Sequence, residues 1–308
     1  MQQKFIAGVD MGATNVRVAI ANADGEIEAR RAIAYPGGEP EAVLRTVGRA
    51  IDDLVRGVWT SATVSAIGMA LPGMVDPARG TVASAANLPE WGDVDIGALL
   101  AKPRGVPFAA ENDANAAAVG EQWLGAAKGM RDFVFVALGT GIGSGVVIDG
   151  KLHHGAHLLA GEVAFFPMEQ DHIRNPGWQH CLEGVAGGRA AADKAQELFG
   201  ERAKAGELFE AASSGHAEAS GWLRQTQEVL AMALADIASL LDPEAIIVGG
   251  GVAAAQGEPF LAPIRDLVHG STPVKTSIVL STLGEDAQIV GAVRLALDRV
   301  DAGEQVQA

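Results

Sequence analysis

The sequence predicts an α/β protein of two domains that repeat one structural unit. A segment rich in β-hairpin signals occurs twice, and helix and strand patterns follow it each time. "GVDMGATNVRVAI" (8–20) and "LGTGIGSGVVIDG" (138–150) each place glycine and threonine between a strand and a returning strand. The chain has 308 residues, 48% of them apolar, which suffices for two large cores. We therefore expect a duplicated α/β unit.

The first half begins with short strands and continues with a helix and a further strand. Asp24-Gly25 is a hairpin signal between the second and third strands. In the helix, apolar residues recur at helical spacing from Val43 to Leu54. The predicted strands run from Phe5 to Asp10, Arg17 to Asn22, Ile27 to Ala34 and Val64 to Leu71, and the predicted helix runs from Glu41 to Val55.

The second half restarts this pattern after a helix that begins near Asp113. An apolar stripe then predicts a long helix, which Asp242-Pro243 ends. The stripe consists of Leu230, Leu234, Ile237 and Leu241. "AIIVGGGVA" (245–253) predicts a strand, a glycine turn and the start of a helix. The remaining predicted elements are strands from Phe133 to Leu138 and Gly145 to Asp149, a short strand at Leu152, and a last helix from Ala287 to Val300.

Composition excludes several classes of protein. The formal net charge of −15 argues against a nucleic-acid partner. The sequence has no apolar run of 18 residues, and its start, "MQQKFIAGVD", enters a strand without the regions of a signal peptide. We therefore expect a cytoplasmic protein with no membrane partner. A single cysteine, Cys181, excludes an internal disulfide and a cysteine-rich metal site.

The glycine turn at 139–141 has two interpretations. It fits neither common nucleotide fingerprint, because Ser144 stands where G-x-G-x-x-G needs its third glycine and the P-loop ending occurs nowhere. A hairpin turn with exposed backbone N–H groups can hold an anion, whereas a plain hairpin turn has no ligand. The similar turn at 12–14 favours the first interpretation, since two such turns could hold the phosphates of one nucleotide.

Three segments resemble the nucleotide-contacting segments of the actin-like ATPase superfamily: Asp10-x-Gly12-x-Thr14, Gly139-Thr140-Gly141 and Gly249-Gly250-Gly251. Further motifs are similar to those of the ROK family of sugar kinases and repressors. They are "LPGMVD" (71–76), "ENDANAAAVGE" (111–121), "GAHLLAGEVA" (155–164) and "CLE" (181–183). The motifs follow the family order over nearly the whole chain.

The resemblance implies a fold and a set of partners. The fold is α/β, with two RNase H-like domains and a hinge cleft between them. The first domain comprises residues 1–112, completed by the C-terminal helix at 287–308, and the second comprises residues 113–286. The implied ligands are ATP, Mg²⁺ and a hexose, and the implied assembly is a homodimer.

On the nucleotide side, the resemblance implies that Asp10 orients Mg²⁺ through water, because this hard cation is satisfied by carboxylate, water and phosphate oxygens. A turn-forming aspartate is the alternative. Many family members have Gly-Thr-Lys in the first turn, where this chain has Ala-Thr-Asn, so basic help there would come from Arg17 or elsewhere. The implied nucleotide-binding residues are Asp10, Gly12, Ala13, Thr14, Asn15, Gly139, Thr140, Gly141, Gly250 and Gly251.

Asp113 is the candidate catalytic base, because phosphoryl transfer needs a carboxylate that accepts the proton of the attacking hydroxyl. It stands where a predicted strand turns into a helix, so helix capping is an alternative or additional role. From residue type alone, a turn asparagine, a structural histidine and solvated glutamates are the alternatives for the other members of the site. The sugar-binding residues that the resemblance implies are Gly73, Asn87, Asn112, Asp113, His157, Glu162 and Glu183.

The chain departs from the family at a structural zinc site. Many relatives bind zinc through one histidine and three cysteines, which are ligands of the type that zinc prefers. Alignment on Cys181 places Arg174 and Pro176 at the first two cysteine positions and Ala164 at the histidine position. His172 or His180 could replace only some of these ligands. We expect no structural zinc, and we expect "VAFFPM" (163–168) and Trp178 to hold the loop by apolar packing.

Three functional classes follow from the resemblance. The family's repressors carry a helix-turn-helix segment before the first strand. In this sequence the first strand begins by about Phe5, so we do not expect a repressor. A non-catalytic sugar-sensing regulator would be expected to lose the base, whereas Asp113 is present. We therefore expect an ATP-dependent kinase of the 6-hydroxyl of a hexose, with glucose favoured. Allose, fructose, mannose and N-acetylhexosamines remain alternative substrates, and polyphosphate remains an alternative donor.

Overall fold

The structure, a computed structural model, describes residues 5–12, 15–34, 38–58, 63–84, 89–92, 94–168, 174 and 177–303. It consists of two compact units. The first comprises Met1–Gly129, His154–Leu159 and Asp286–Ala308, and the second comprises Met130–His153 and Ala160–Glu285. The first unit therefore extends beyond the boundary expected after residue 112.

The first unit contains a five-stranded mixed sheet in the order β3-β2-β1-β4-β7. Strands β1 to β3 are antiparallel neighbours, whereas β4 is parallel to β1 and β7 is parallel to β4. In chain order the elements are β1 (Phe5–Met11), β2 (Asn15–Ala21), β3 (Ile27–Ala34), α1 (Pro40–Val58), β4 (Val64–Leu71), β5 (Met74–Asp76), β6 (Thr81–Ser84), α2 (Ile96–Leu100), β7 (Phe108–Asn112) and α3 (Asp113–Leu124).

The second unit repeats the arrangement, with the strand order β10-β9-β8-β11-β12 and the same pattern of antiparallel and parallel pairs. The predicted α/β class and its duplication are therefore confirmed. The elements are β8 (Phe133–Leu138), β9 (Ile142–Ile148), β10 (Lys151–Leu152), α4 (Leu182–Ala186), α5 (Gly188–Phe199), α6 (Ala205–Ser213), α7 (Ala217–Leu241), β11 (Ala245–Gly249), α8 (Gly251–Gln256), α9 (Glu258–Ser271) and β12 (Ser277–Leu280), and the C-terminal helix α10 (Ala287–Asp301) returns to the first unit.

Helix α3 belongs to the first unit because it packs against α10 with almost no space between the two backbones. A Cβ atom added at Gly120 would overlap the carbonyl of Ala287, and one added at Gly291 would overlap the carbonyl of Ala116. Only glycine permits this approach. The close packing places the start of α3, and with it Asp113, on a rigid base.

In the second unit, the long helix α7 contributes to the same apolar core as the strands of the sheet. Three residues of the predicted stripe, Leu230, Leu234 and Ile237, are buried, but Leu241 is 37% exposed at the last residue of the helix. The predicted stop is confirmed, since Asp242 adopts a left-handed φ of 44°. No helix within the described part of the chain is long and apolar enough to cross a membrane.

Candidate active site

The turn between β7 and α3 carries the candidate base. The Asn112 side-chain oxygen accepts hydrogen bonds from the backbone N–H groups of Ala114 at 2.9 Å and Asn115 at 3.2 Å. Asn112 is therefore the N-cap of α3, and the alternative that Asp113 caps the helix is wrong. Asp113 is the first helical residue, and its Oδ1 accepts a hydrogen bond from Ala114 N at 2.8 Å. Its side chain is partly exposed.

Gly73 and Asn112, two of the implied sugar-binding residues, are joined by a hydrogen bond. The Asn112 Nδ2 donates to the Gly73 carbonyl at 3.0 Å, which ties the segment after β4 to the end of β7. Gly73 has a φ of 89°, a conformation that favours glycine. The Asn112 amide is thus fixed through both its oxygen and its nitrogen, and a second Nδ2 hydrogen exists for a ligand. Asn87 lies outside the described residues.

Asp10 lies beside a cation. It is 7% exposed and faces Arg17 across the β1–β2 pair. Arg17 Nε and Nη2 lie 2.9 and 2.7 Å from Asp10 Oδ2. Burial raises the pKa of Asp10, and the charge and hydrogen bond of Arg17 offset only part of that rise. The structure thus pairs Arg17, one of the candidates for a basic group near the first turn, with Asp10.

Each glycine turn is closed by a backbone hydrogen bond that its first glycine donates. In the first turn Gly12 N donates to Asn15 O at 2.9 Å, and Ala13 and Thr14 lie outside the described residues. In the second turn Gly139 N donates to Gly141 O, also at 2.9 Å. Both turns are therefore tight connections between antiparallel strands, of the kind that can present backbone groups to an anion.

The second turn rests on the start of α5. Gly188 N donates to Gly139 O and Arg189 N donates to Thr140 O, each at 2.9 Å. The third glycine segment lies against the same strand, because a Cβ atom at Gly250, whose φ is 88°, would lie 2.5 Å from Leu138 O. Gly139, Thr140 and Gly250 are thus close together in the second unit, as a nucleotide-contacting surface requires. Gly251 begins α8 directly after them.

Glu183 and Glu162 form a half-buried pair of carboxylates. Glu183 Oε2 accepts a hydrogen bond from Ile142 N at 2.6 Å, directly after the second glycine turn. Burial raises the pKa of Glu183, while Ile142 N–H and Arg189 oppose the rise. Burial also raises the pKa of Glu162, and the charge of Glu183 adds to that rise. The alternative that both are solvated surface charges is therefore wrong.

His157 belongs to a different unit from the two glutamates. It is exposed and belongs to the segment His154–Leu159 of the first unit, whereas Glu162 and Glu183 belong to the second. The next residue, Leu158, has a φ of 61°, a left-handed conformation that costs a non-glycine residue about 1 kcal/mol. The structure therefore does not group His157 with either glutamate within one unit.

The loop expected to lack zinc is held by backbone hydrogen bonds. Leu182 N donates to Phe166 O at 2.9 Å, and Met168 N donates to His180 O at 3.0 Å. Phe165 and Trp178 pack edge to face at 5.7 Å but are 58% and 45% exposed, so the expected apolar packing is only partial. Cys181 is buried, and its Sγ donates to Trp178 O at 3.0 Å.

In this loop, the described residues at the positions where relatives carry zinc ligands do not form a group of metal-ligating side chains. Ala164 is a buried alanine, and Arg174 is exposed. Pro176 and His172 lie outside the described residues. Among the residues the structure describes, no three histidine, cysteine, aspartate or glutamate side chains are grouped to hold a metal ion.

The sequence patterns did not indicate Glu111 and His154. Glu111 is 1% exposed, and its carboxylate contacts the His154 imidazole. A charged residue inside an otherwise apolar strand is the signal that could have identified Glu111, because glutamate is rarely buried without a partner. His154 gave no such signal, since its partner lies 43 residues away.

Comparison with known proteins agrees with this arrangement. The family model described as ROK family matches residues 6–299. The glucokinase of Thermotoga maritima is 33% identical to this chain, covering 97% of it and 99% of the relative. A ROK family glucokinase structure from Streptomyces griseus in complex with glucose and AMPPNP is 32% identical, with a TM-score of 0.78 and coverage of 96% of this chain and 99% of its own. The ROK hexokinase structure from Thermus thermophilus is 28% identical with a TM-score of 0.81, covering 97% and 100%.

The duplicated α/β units and their glycine turns define a protein of the actin-like ATPase fold. Since the family model and the first relative each extend over nearly the whole chain, the chain belongs to the ROK family.

Proposed function

We propose that this chain transfers the γ-phosphoryl group of ATP to the 6-hydroxyl of a hexose, with glucose the favoured acceptor. The observation that carries the proposal is the turn at the start of α3, where a partly exposed carboxylate, Asp113, follows a fixed asparagine N-cap. The nearly full-length similarity to the Thermotoga maritima glucokinase and to the Streptomyces griseus complex supports the same activity.

Asp113 is the general base. A phosphoryl-transfer enzyme mainly positions its substrates and stabilises charge, and a carboxylate accepts the proton of the attacking hydroxyl. The Asp113 carboxylate is held at one oxygen by Ala114 N–H, and its partial exposure leaves it accessible to a hydroxyl group. The packing of α3 on α10 limits the movement of this carboxylate during the reaction.

The nucleotide is held mainly by backbone groups. Thr14 and Thr140 would add hydroxyl donors to the two tight turns, and the glycines at 250 and 251 let the backbone approach the adenosine. The remaining proposed contacts are Asp10, Gly12, Ala13, Asn15, Gly139 and Gly141. The buried Asp10 carboxylate suits Mg²⁺ held through water, and the ion would supply charge neutralisation on the phosphates.

The hexose is held by hydrogen-bonding side chains. Asn112 carries both donor and acceptor groups, which suit sugar hydroxyls, and its orientation is fixed by Gly73 O. Glu162 and Glu183 would accept hydrogen bonds from further hydroxyls. Gly73, Asn87 and His157 complete the proposed set. Allose, fructose, mannose and N-acetylhexosamines are the competing acceptors, and polyphosphate is the competing donor.

The experiment is a coupled ADP-release assay with a panel of hexoses, run on the wild type and on Asp113→Asn. We predict that this substitution lowers kcat by a factor of about 10² to 10⁴ with little change in substrate binding, the usual contribution of a positioned base. Asp95→Asn is the matched control, because Asp95 caps α2 through Ala98 N at 2.8 Å and asparagine caps equally well.

Two results would contradict the proposal. A kcat of Asp113→Asn within a few-fold of wild type would remove Asp113 from the role of base. Binding of a hexose by the wild type without its phosphorylation by either ATP or polyphosphate would favour the competing class, a non-catalytic sugar-sensing regulator.

Assembly and location belong to the same proposal. A homodimer is proposed from the family resemblance, and size-exclusion chromatography with light scattering tests it. A cytoplasmic location is proposed together with this activity. Fractionation of cells that express the protein tests the location.

A further inference from the structure

A buried carboxylate lies directly behind the catalytic turn. Glu111 is the penultimate residue of β7 and is 1% exposed. Its backbone pairs with Ala70 of the neighbouring strand β4, so the side chain starts from a fixed point in the sheet. A carboxylate in such a place needs hydrogen-bond donors and a compensating cation, because the loss of hydration is costly.

One oxygen of Glu111 holds the turn on both sides of Asp113. Glu111 Oε1 accepts hydrogen bonds from Asn112 N at 2.9 Å and from Asn115 Nδ2 at 3.0 Å. Asn112 precedes Asp113, and Asn115 follows it by two residues. Asn115 is itself buried, at 7% exposure. A shift of the Glu111 carboxylate would therefore move the backbone that carries the proposed base.

The other oxygen of Glu111 contacts a histidine. His154 Nε2 lies 2.7 Å from Glu111 Oε2. His154 is the first residue of the segment His154–Leu159, which belongs to the first unit although it lies between two parts of the second in sequence. Its side chain is 30% exposed, against 2% for that of Glu111, so the histidine can exchange a proton with solvent while the carboxylate remains buried.

We propose that His154 is a positioning residue of the kinase, whose imidazolium holds Glu111, and through Glu111 the turn that carries Asp113, in the geometry for phosphoryl transfer. Loss of the proton from Nδ1 or Nε2 of His154 to solvent removes the compensating charge and loosens the turn. This inference rests on the proposed function, in which Asp113 is the base.

The electrostatics of the pair favour the charged histidine. The hydrogen bond to Glu111 raises the pKa of His154, burial opposes this effect, and the Glu111 charge adds to it. The titratable groups nearest to the pair in sequence are Asp113, two residues after Glu111, and His153 and His157 on either side of His154. Of the described residues, only Glu111 is a charged cause of the His154 shift.

The raised pKa sets the direction of the pH dependence. A histidine with a raised pKa in the folded protein contributes its full stabilisation below its ordinary pKa and loses it as pH rises through the raised value. The activity should therefore fall on the alkaline side, above the ordinary pKa of histidine.

The kinetic test compares His154→Gln with wild type and with His153→Gln. Glutamine keeps an N–H donor near the position of Nε2 but does not titrate.

We expect wild-type kcat to decline through the His154 pKa while the KM for ATP stays constant. His154→Gln should lower kcat, by up to about 10²-fold for a misplaced base, and should abolish the alkaline decline. His153→Gln, at an exposed neighbouring position, should keep the wild-type profile. An unchanged alkaline decline in His154→Gln would overturn the proposal.

A second measurement does not depend on kinase activity. NMR titration of the imidazole should give His154 a pKa above the ordinary value of histidine in the wild type, and Glu111→Gln should remove that rise. Hydrogen exchange at Asn112 N–H should be faster in His154→Gln than in His153→Gln. If Glu111→Gln does not fold, the comparison of hydrogen exchange in His154→Gln and His153→Gln still tests the proposal. His153 is exposed and His154 is partly exposed, so both glutamine variants should fold.

The two measurements separate the two proposals. Absence of kinase activity in the wild type, with the expected titration and exchange, would reject the proposed function and leave the control of the turn by His154 intact. Equal exchange in the two histidine variants, or a His154 pKa at the ordinary value of histidine, would reject the positioning role in an active kinase.

Discussion

At the scale of single residues, burial and a neighbouring charge act on the pKa of Asp10 in opposite directions. Burial favours the neutral acid, and Arg17 favours the carboxylate. The net effect is a raised pKa, so Asp10 loses its charge at a less acidic pH than an ordinary aspartate. Arg17 therefore opposes the effect of burial on Asp10 and lies beside it across the β1–β2 pair.

Replacement of Arg17 by methionine tests this balance. The substitution removes the guanidinium from Asp10 Oδ2, so burial should raise the Asp10 pKa further. We expect the acid side of the kcat/KM profile for ATP to shift to higher pH and the Mg²⁺ requirement to increase. Steady-state kinetics across pH and Mg²⁺ concentration measures both. Arg30→Met is the control, since Arg30 forms an exposed ion pair with Asp286 at 3.1 Å. Equal profiles for the two variants would contradict the role of Arg17.

At the scale of elements, the contact of α3 with α10 supports the catalytic turn. The contact joins residues that are far apart in the chain, and both helices approach through glycine. Helix α10 also buries Ile289, Val293 and Leu297 against the first unit. The start of α3 is therefore supported by a helix from the other end of the sequence.

Alanine at Gly291 should damage this contact. The added methyl group would overlap Ala116 O, so we expect the substitution to lower the free energy of unfolding by about 1–3 kcal/mol, as overpacking does. Gly221→Ala is the matched control, because Gly221 is a helical glycine of α7 with open space around its Cβ position. It should raise the free energy of unfolding by about 0.5–1 kcal/mol. Urea unfolding measures both values, and a neutral Gly291→Ala would refute the close packing.

At the scale of the whole molecule, the two units are copies that have acquired different residues at equivalent positions. Strands β1 and β8 hold the same place in their sheets and each leads into a glycine turn, but β1 carries the buried Asp10 near its end whereas β8 ends in Leu138. Strands β4 and β11 are also equivalent, and Gly73 and Gly250, which follow them, have φ values of 89° and 88°. Duplication therefore explains why similar turns recur, and divergence explains why only one copy carries Asp10.

The metal content of the whole protein is a further prediction. The chain has one cysteine and seven histidines, and the loop around Cys181 is held by backbone hydrogen bonds. We expect the purified protein to contain no stoichiometric zinc, and Mg²⁺ alone to reverse inhibition by EDTA fully. Elemental analysis and kinase assays test this. About one zinc per chain, lost on chelation together with activity, would show the prediction to be wrong.

Much of this protein follows from local sequence patterns. Hydrophobic periodicity predicts β4 and β8 with their observed bounds, and glycines mark the turns at 12, 139 and 250, because these features depend on neighbours along the chain. The motifs around Asp113 and Glu183 also indicate the class of chemistry. These are determined by the sequence alone.

Only the tertiary structure decides which distant residues act together. Arg17 contacts Asp10 because the register of β1 and β2 places the two residues opposite each other. Glu183, on a helix, accepts a hydrogen bond from Ile142 N, 41 residues away in the chain. His154 reaches Glu111 across 43 residues, and α3 belongs to the first unit because α10 returns to pack on it. Side-chain partners, burial and pKa values depend on distances in space, and periodicity along one segment carries no information about those distances.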